Sequence, residues 1–271
     1  MSIQAATNPT LINAQPARAA DLAPLAFAGF AHFTALQVRD RKVKAIDLHL
    51  ARLRTASLKL FGAALPDEQV LHRIRQAIAA GPADMSLTAT VYSPDGEFTA
   101  RTAGTEPGIL IRTGAPADGP AGPVRLAAVA HERHLPAIKH VGEGAKTYYL
   151  HRALEQGFDD AAFVDRHGRL GEATIWNLAF WDGHAVVWPR AAILAGTMMG
   201  MVQRQLQRLG VPQHRRDITL ADLASFSGAA IMNSWTPGIA VTALGAHALA
   251  EAAPFMALLN KACDAEPALA V

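Results

Sequence analysis

A lone lysine lies among apolar residues near the middle of the chain. Lys139 belongs to the segment PAIKHVG, residues 136–142, which follows a stretch that predicts a strand. A lysine in a partly dry pocket has a lowered amine pKa, and the neutral amine is the form that attacks a carbonyl carbon to make a Schiff base. The residue and its setting are those that a covalent nucleophile needs, but this feature alone is more typical of a surface lysine on a loop.

Three further positions have residue types that could hold an ionic ligand. Glu172 lies between two short apolar segments, where a carboxylate can hold a cation or a protonated ring nitrogen. Arg52 lies on a predicted amphipathic helix and can bind a phosphate through two parallel hydrogen bonds. Gly196 precedes a predicted helix, whose first backbone amides form an anion site. Taken singly, each feature is more typical of a solvated side chain or of any helix start.

Other chemistries lack the motifs that they need. No GxGxxG follows a predicted strand, so dinucleotide binding has no support, and no GxSxG is present for a hydrolase. The segment GEGAKT, residues 142–147, lacks the glycines of a phosphate-binding P-loop. His131 and His134 are three residues apart with no third ligand nearby, so no metal site is predicted.

Composition limits the class of protein. The 271 residues are 51% hydrophobic and 18% charged, which is typical of one large domain or two smaller ones with apolar cores. A net charge of +2 does not favour a nucleic-acid partner. The single cysteine, Cys263, excludes an internal disulfide and suits a reducing cytoplasm. Residues 1–22 lack the apolar core of a signal peptide, and the apolar region 229–249 has polar residues at its centre, so no membrane association is predicted.

The elements that must position these residues fall on either side of a predicted linker. The segment GAPADGPAGP, residues 114–123, is too rich in glycine and proline for a helix or strand, so it separates predicted domains at 1–113 and 124–271. Hydrophobic periodicity predicts an α/β protein whose first domain is of α+β type. Before the linker, the pattern predicts strands at 33–38, 42–46 (a hairpin partner of the first), 85–93 and 109–113, with helices at 48–61 and 67–80. After it, the pattern predicts strands at 124–132, 161–165, 175–181, 185–188, 229–234 and 239–244, with helices at 145–156, 197–209 and 251–263.

Five segments between Phe33 and Val241, taken in order, carry a family pattern. They are residues 33–62 with the sequence HLARL in their helix, AIKHVG at 137–142, residues 157–180, DGHAVVWP with LAGTMMGMV at 182–202, and IMNSWTPGIAV at 231–241. The third segment is the most specific, because it matches G-x-D-x-A-x-x-x-D-x-x-G-x-x-x-E-x-x-x-x-N. In this order the segments resemble the class IV, fold-type IV, pyridoxal phosphate enzymes. That family includes D-amino-acid aminotransferase, branched-chain aminotransferase and aminodeoxychorismate lyase.

The resemblance implies a pyridoxal 5'-phosphate cofactor and a role for each matching residue. Lys139 matches the Schiff-base lysine, and Lys146, seven residues later, is the competing candidate. Glu172 matches the carboxylate that pairs with the pyridine nitrogen, Arg52 matches the arginine on the phosphate, and Asn177 matches a structural asparagine. The other cofactor contacts that the resemblance implies are Gly196, Thr197, Met198, Asn233 and Ser234.

The same resemblance implies an architecture and shows where this chain departs from its relatives. The expected fold has an N-terminal α+β domain, a C-terminal mixed-sheet pseudobarrel, the cofactor in the interdomain cleft, and a homodimeric assembly. Met198 replaces the usual threonine, Phe33 replaces a tyrosine of the D-amino-acid enzyme, and segment 91–101 lacks a clear arginine–histidine pair for a substrate carboxylate. Candidates for the substrate side, some of them expected to be packing residues, are Phe33, His32, His134, His140 and Trp176.

These features predict an aminotransferase that moves an amino group between an amino acid or amine and a 2-keto acid through Lys139. An aminodeoxychorismate lyase, which releases 4-aminobenzoate and pyruvate, is the alternative. A third hypothesis is a family member that binds without turnover, which Met198 and the missing carboxylate pair suggest. The complete set of Lys139, Glu172 and Arg52 argues against that third hypothesis. The predicted partners are small molecules and a second copy of the chain.

Overall fold

The computed structural model describes residues 10–12, 15–26, 30–94 and 106–271. Its described residues divide into two compact units. Unit one extends to Ala117 and also contains Ile138–Gly142 and Ala268–Val271, so Lys139 belongs to it. Unit two contains Asp118–Ala137 and Glu143–Pro267. Of the segment 91–101, considered above for a carboxylate-binding pair, residues 95–101 lie outside the described residues.

The helices and strands follow in chain order. The first half contains β1 (Thr10–Ile12), β2 (Gln15–Pro16), a 3-10 helix (Ala19–Leu22), α1 (Ala23–Ala26), β3 (Ala31–Val38), β4 (Lys42–Lys44), α2 (Ile46–Phe61), α3 (Asp67–Ala80), β5 (Met85–Tyr92) and β6 (Gly108–Gly114). The second half contains β7 (Val124–Ala130), α4 (Gly144–Glu155), β8 (Asp160–Val164), β9 (Leu170–Ala173), β10 (Asn177–Trp181), β11 (Val186–Pro189), α5 (Thr197–Arg208), β12 (Gln213–Arg216), a 3-10 helix (Leu220–Ser225), β13 (Gly228–Asn233), β14 (Thr236–Leu244), β15 (His247–Ala248), α6 (Ala253–Asp264) and β16 (Ala268–Ala270). Among the described residues, no helix is long and apolar enough to cross a membrane.

Unit one is built on an antiparallel sheet. Its described strands lie in the order β2-β1-β6-β5-β3. Buried residues recur every three or four positions along α2, and this stripe packs the helix against β3. Helix α2 ends at Gly62, whose positive φ allows its amide to bind the carbonyl of Leu58.

Unit two contains a closed ring of strands. Within the described residues, β10, β13, β14, β7, β8 and β9 pair in succession, and β9 pairs again with β10. One apolar cluster draws side chains from all of these ring strands, whereas alternate residues of β10 and β13 pack against α5 and α6. The predicted α/β class and the predicted pseudobarrel are therefore confirmed.

Some strands differ from the prediction. The predicted hairpin between 33–38 and 42–46 is wrong, because β3 pairs with β5 while β4 pairs with β16. An isolated bridge between Arg39 and Lys42 closes the turn between β3 and β4. The sequence also does not predict β9, which has four residues, or β12, whose residues are all polar. Strands this short or this polar carry too weak an alternation to be recognised.

Candidate functional site

In unit one, Lys139 is held by backbone pairing to the start of β3. The amide of Phe33 donates to the carbonyl of Lys139 at 2.8 Å, and the amide of Val141 donates to the carbonyl of Ala31 at 2.8 Å. The Lys139 Nζ lies 4.8 Å from the centroid of the Phe33 ring. The amine predicted to be the nucleophile is thus half-buried on a fixed backbone and lies against an aromatic face.

His32 and Phe33, both predicted on the substrate side, lie on opposite faces of β3. Consecutive strand residues point to opposite sides of a sheet. Phe33 is half-buried on the side of Lys139, whereas His32 is fully buried and its Nε2 lies 2.9 Å from the hydroxyl of Ser57 on α2. Burial lowers the pKa of His32 to about 4, so this ring is neutral at physiological pH.

Arg52 lies on α2 beside a second buried histidine. The Nδ1 of His49 lies 2.7 Å from the hydroxyl of Thr34 on β3. Burial lowers the pKa of His49 to about 3, and the positive charge of Arg52 acts in the same direction. Arg52 itself is half-buried. Helix α2 therefore positions the guanidinium of Arg52 next to the neutral imidazole of His49.

In unit two, Glu172 lies where the strand ring closes. It is on β9 and is the register partner of Asn177 on β10, so the E-x-x-x-x-N spacing brings the two residues opposite each other. Glu172 is 5% exposed. Its Oε1 accepts from Arg133 at 3.1 Å and its Oε2 accepts from the amide of Leu194 at 3.4 Å. Burial raises the pKa of Glu172, while the charges of Arg133 and Lys146 act in the opposite direction.

Arg133 connects Glu172 to a second carboxylate. Its Nε donates to Glu143 at 2.6 Å, and its Nη1 donates to the carbonyl of Pro136 at 2.7 Å as well as to Glu172. Lys146 Nζ lies 2.9 Å from the other oxygen of Glu143. Lys146, the competing candidate for the covalent lysine, is therefore engaged in an ion pair.

The loop before α5 is fixed by Asn177. Its Nδ2 donates to the carbonyl of Leu194 at 2.8 Å, and Gly196 is the N-cap of α5. A Cβ at Gly196 would overlap the Asn177 Oδ1, so this position has no room for a side chain. Thr197 is buried, and Met198 packs against the apolar cluster beneath α5 and α6. This packing explains why an apolar side chain suits position 198. The backbone amide of Met198 does not depend on whether the side chain is methionine or threonine.

The late polar pair lies in the turn between β13 and β14. The side-chain oxygen of Asn233 accepts from the amide of Trp235 at 2.8 Å, and Ser234 is half-buried. Trp235 contacts the edge of Trp176, with ring centroids 5.7 Å apart. Trp176 is 5% exposed and its indole donates to the carboxylate of Asp160 at 2.9 Å. Of the remaining substrate-side candidates, His134 is exposed and His140 is half-buried.

The arrangement in unit two suits a ligand with a cationic ring atom and an anionic group. The Leu194–Gly196 loop contacts the buried carboxylate of Glu172 at one end and begins α5 at the other. The first turn of α5 contains no acidic residue, so its amides offer an uncontested anion site. The sequence singled out Glu172 and Gly196 separately. It gave no signal for Arg133 or Glu143, because neither lies in a recognisable spacing.

Comparison with protein families matches most of the chain. The family model described as "Amino-transferase class IV" matches residues 31–244. No curated protein sequence matches the chain.

Solved structures share the fold. The branched-chain aminotransferase of Thermoproteus uzoniensis, determined with norvaline, has a TM-score of 0.83 at 16% identity, covering 96% of this chain and 94% of its own. The 4-amino-4-deoxychorismate lyase of Pseudomonas aeruginosa has a TM-score of 0.79 at 22% identity, covering 94% and 98%. The Escherichia coli branched-chain aminotransferase has a TM-score of 0.81 at 15% identity, covering 95% and 92%. At these identities the similarity establishes the fold and leaves the reaction open.

Proposed function

The chain belongs to the class IV aminotransferases, a family of pyridoxal phosphate enzymes, and from this premise we propose that it transfers an amino group between an amino acid or amine and a 2-keto acid. When bound, pyridoxal phosphate supplies the electron sink that stabilises negative charge at the substrate Cα. The observation that carries the proposal is the buried Glu172 carboxylate, paired with Arg133 and joined through one loop to the N-terminus of α5.

We assign the reacting amine to Lys139. Its Nζ would hold the cofactor covalently, and as a free amine it would be the base that takes the proton from the substrate Cα. The contact with the Phe33 ring supports this assignment, because the ring covers one side of the amine. Lys146, which pairs with Glu143, lies seven residues later than the lysine of the family pattern.

The remaining residues would bind and orient the cofactor. Glu172 would hold a proton on the ring nitrogen, because an ionised carboxylate stabilises a neighbouring cation. Arg52 and the amides of Gly196, Thr197 and Met198 would bind the phosphate, with Asn233 and Ser234 nearby. Phe33 is the substrate-side candidate that the Lys139 contact supports.

The first experiment is a visible absorbance titration with pyridoxal phosphate. The expected result is a band that Lys139→Ala abolishes and that Lys261→Ala, an exposed lysine on α6, leaves intact. Adding D-alanine or L-alanine should then bleach the band with one enantiomer and identify the accepted stereochemistry. If folded protein gives no band, the binding-only hypothesis replaces the proposal.

An aminodeoxychorismate lyase is the second candidate. The Pseudomonas lyase covers 94% of this chain, close to the 96% and 95% of the aminotransferases, and has 22% identity. The two reactions differ in their need for a second substrate, since a lyase releases pyruvate without a keto acid acceptor. Pyruvate release from aminodeoxychorismate with no keto acid present would favour the lyase, whereas alanine turnover that requires a keto acid would favour the aminotransferase.

We also propose that the protein acts as a cytoplasmic homodimer, as its family membership and single cysteine suggest. Light scattering after size-exclusion chromatography should give twice the 28.7 kDa chain mass. A mass equal to one chain at micromolar concentration would contradict the dimer.

A further inference from the structure

The Arg133 side chain lies at the centre of a buried chain of alternating charges. It is 2% exposed, while the side chains of Glu172 and Glu143 are 6% and 12% exposed. Its Nε binds Glu143 and its Nη1 binds Glu172, so one guanidinium serves two carboxylates. Lys146, 12% exposed, ends the chain on the far side of Glu143.

One hydrogen bond extends this chain of charges to the backbone. The Arg133 Nη1 also donates to the carbonyl of Pro136, three residues before Lys139. Because the same nitrogen binds Glu172 Oε1, one atom fixes both the carboxylate and the start of the segment that leads to the lysine. Within the described part of the chain, the other Glu172 oxygen, Oε2, accepts only the long hydrogen bond from the Leu194 amide.

A buried carboxylate needs a compensating charge to stay ionised. Desolvation favours the neutral acid, whereas an opposite charge within about 4–6 Å lowers a carboxyl pKa by about 1–3 units. Glu143 competes with Glu172 for the charge of Arg133. Lys146 offsets this competition, because it neutralises Glu143 from the other side.

Other ionisable side chains line the same cavity, of about 160 Å³, as Glu172 and Arg133. They are His131, Glu132, Asp165, Arg166, His167 and Arg169. Arg166 pairs with Glu132, and Arg169 pairs with Asp165. The charges within these two ion pairs therefore largely cancel. Arg133 and Lys146 are the cations that lower the pKa of Glu172.

We propose that Arg133 is a positioning residue for the cofactor: it binds Oε1 of Glu172, keeps that carboxylate ionised, and leaves Oε2 for the ring nitrogen. Glu143 weakens the stabilisation of the Glu172 carboxylate by Arg133, and Lys146 restores it by neutralising Glu143. This inference rests on the proposed function, because Glu172 needs this charge only if it holds a protonated ring nitrogen.

The charge coupling can be measured in the full chain without cofactor. The Glu172 carboxyl carbon is titrated by NMR in protein labelled with ¹³C-glutamate, and the Glu172→Gln variant identifies its resonance. The pKa should increase in the order Glu143→Gln, wild type, Lys146→Met, Arg133→Met, with the last variant about 1–3 units above wild type. If Arg133 and Glu143 had a merely structural role, their substitutions would not shift the pKa of Glu172 in opposite directions.

Cofactor affinity is the second readout. The Kd for pyridoxal phosphate should rise at least about tenfold in Arg133→Met, a change that corresponds to one pKa unit of lost interaction. The Kd of Arg133→Lys should lie between those of Arg133→Met and wild type, because lysine keeps the positive charge and loses the planar set of guanidinium donors. Arg166→Met is the matched control, since it removes an arginine of the same cavity that is paired with Glu132. If Arg133→Met does not fold, Arg133→Lys and Lys146→Met carry the test.

The outcomes separate this inference from the proposed function. If wild-type protein shows the Lys139-dependent band and Arg133→Met binds the cofactor with unchanged Kd, the inference is overturned and the function stands. If the Glu172 pKa values do not follow the stated order, the inference is also overturned. If wild-type protein shows no band, the proposed function fails, and the cofactor role of Arg133 fails with it.

Discussion

Single side chains fix the loop that begins α5. Asn177 binds the carbonyl of Leu194, and Gly196 approaches the same asparagine so closely that a Cβ would overlap its side-chain oxygen. The sequence identified Gly196 and Asn177 through their family positions. It could not reveal their mutual contact, because that contact depends on how the loop before α5 folds back against β10.

Gly196→Ala should therefore disrupt the loop. The added methyl group must displace Asn177, and forcing extra atoms into a packed site costs about 1–3 kcal/mol. We expect a lower free energy of unfolding in urea and at least a tenfold higher Kd for pyridoxal phosphate. Gly114→Ala is the matched control, since a Cβ there meets nothing within 4 Å. Equal behaviour of the two variants would contradict the prediction.

Trp176 could contact the substrate or stabilise the core. A core role predicts a loss of folding stability on substitution, whereas a substrate contact predicts a change in KM. Trp176→Phe removes the indole donor from the buried carboxylate of Asp160 and should cost about 1–3 kcal/mol of folding free energy. Urea denaturation measures this loss. A change confined to KM, with unchanged stability, would instead support the substrate role.

Among the elements, β3 separates two kinds of surface. One face carries His32 and Thr34 against α2, and the other carries Phe33 toward Lys139. The alternation of strand residues was available from the sequence, so the opposite orientations of His32 and Phe33 could have been predicted from it. The histidine–hydroxyl pairs could not, because each joins residues that are far apart in the chain.

The layer between β3 and α2 should make stability depend on pH. The pKa values of His32 and His49 are lowered to about 4 and about 3, while an unfolded histidine titrates near 6.5. Below pH 6.5 the unfolded state therefore binds more protons, and stability falls as the pH falls. From pH 7 to pH 5 the loss should be roughly 2 kcal/mol per histidine.

Urea denaturation of wild type and His49→Gln at these two pH values checks the prediction. The variant should lose less stability between pH 7 and pH 5 than wild type does, because it has one buried histidine fewer. Equal losses in the two proteins would contradict it.

The elements also show where sequence patterns suffice. Helix α3 begins after Pro66 and ends before Gly81, and the predicted bounds 67–80 agree with the structure. Strand β4 shows the limit, because its partner β16 lies more than two hundred residues away in the sequence. Local periodicity contains no information about so distant a partner.

At the scale of the whole molecule, unit one is assembled from separate stretches of chain. Residues 138–142 pair with the start of β3, and β16 pairs with β4. The predicted domain boundaries, 1–113 and 124–271, rest on the glycine and proline content of 114–123 and stay a prediction. The first break between the units, after Ala117, falls within that segment.

A fragment of residues 1–117 should therefore not fold as unit one does in the full chain. It lacks the backbone partners of Phe33 and Ala31 and the whole of β16. We expect a weak, non-cooperative thermal transition by circular dichroism. A cooperative transition at the melting temperature of the full chain would contradict this expectation.

The discontinuous makeup of unit one has a consequence for synthesis on the ribosome. Its sheet can form once β6 has emerged, but the backbone around Lys139 becomes available only after residues 138–142, and the partner of β4 only after residues 268–270. Most of unit two, Glu143–Pro267, is translated between these events. The nascent chain thus has to complete its second unit before its first, because the partner strand of β4 is translated last.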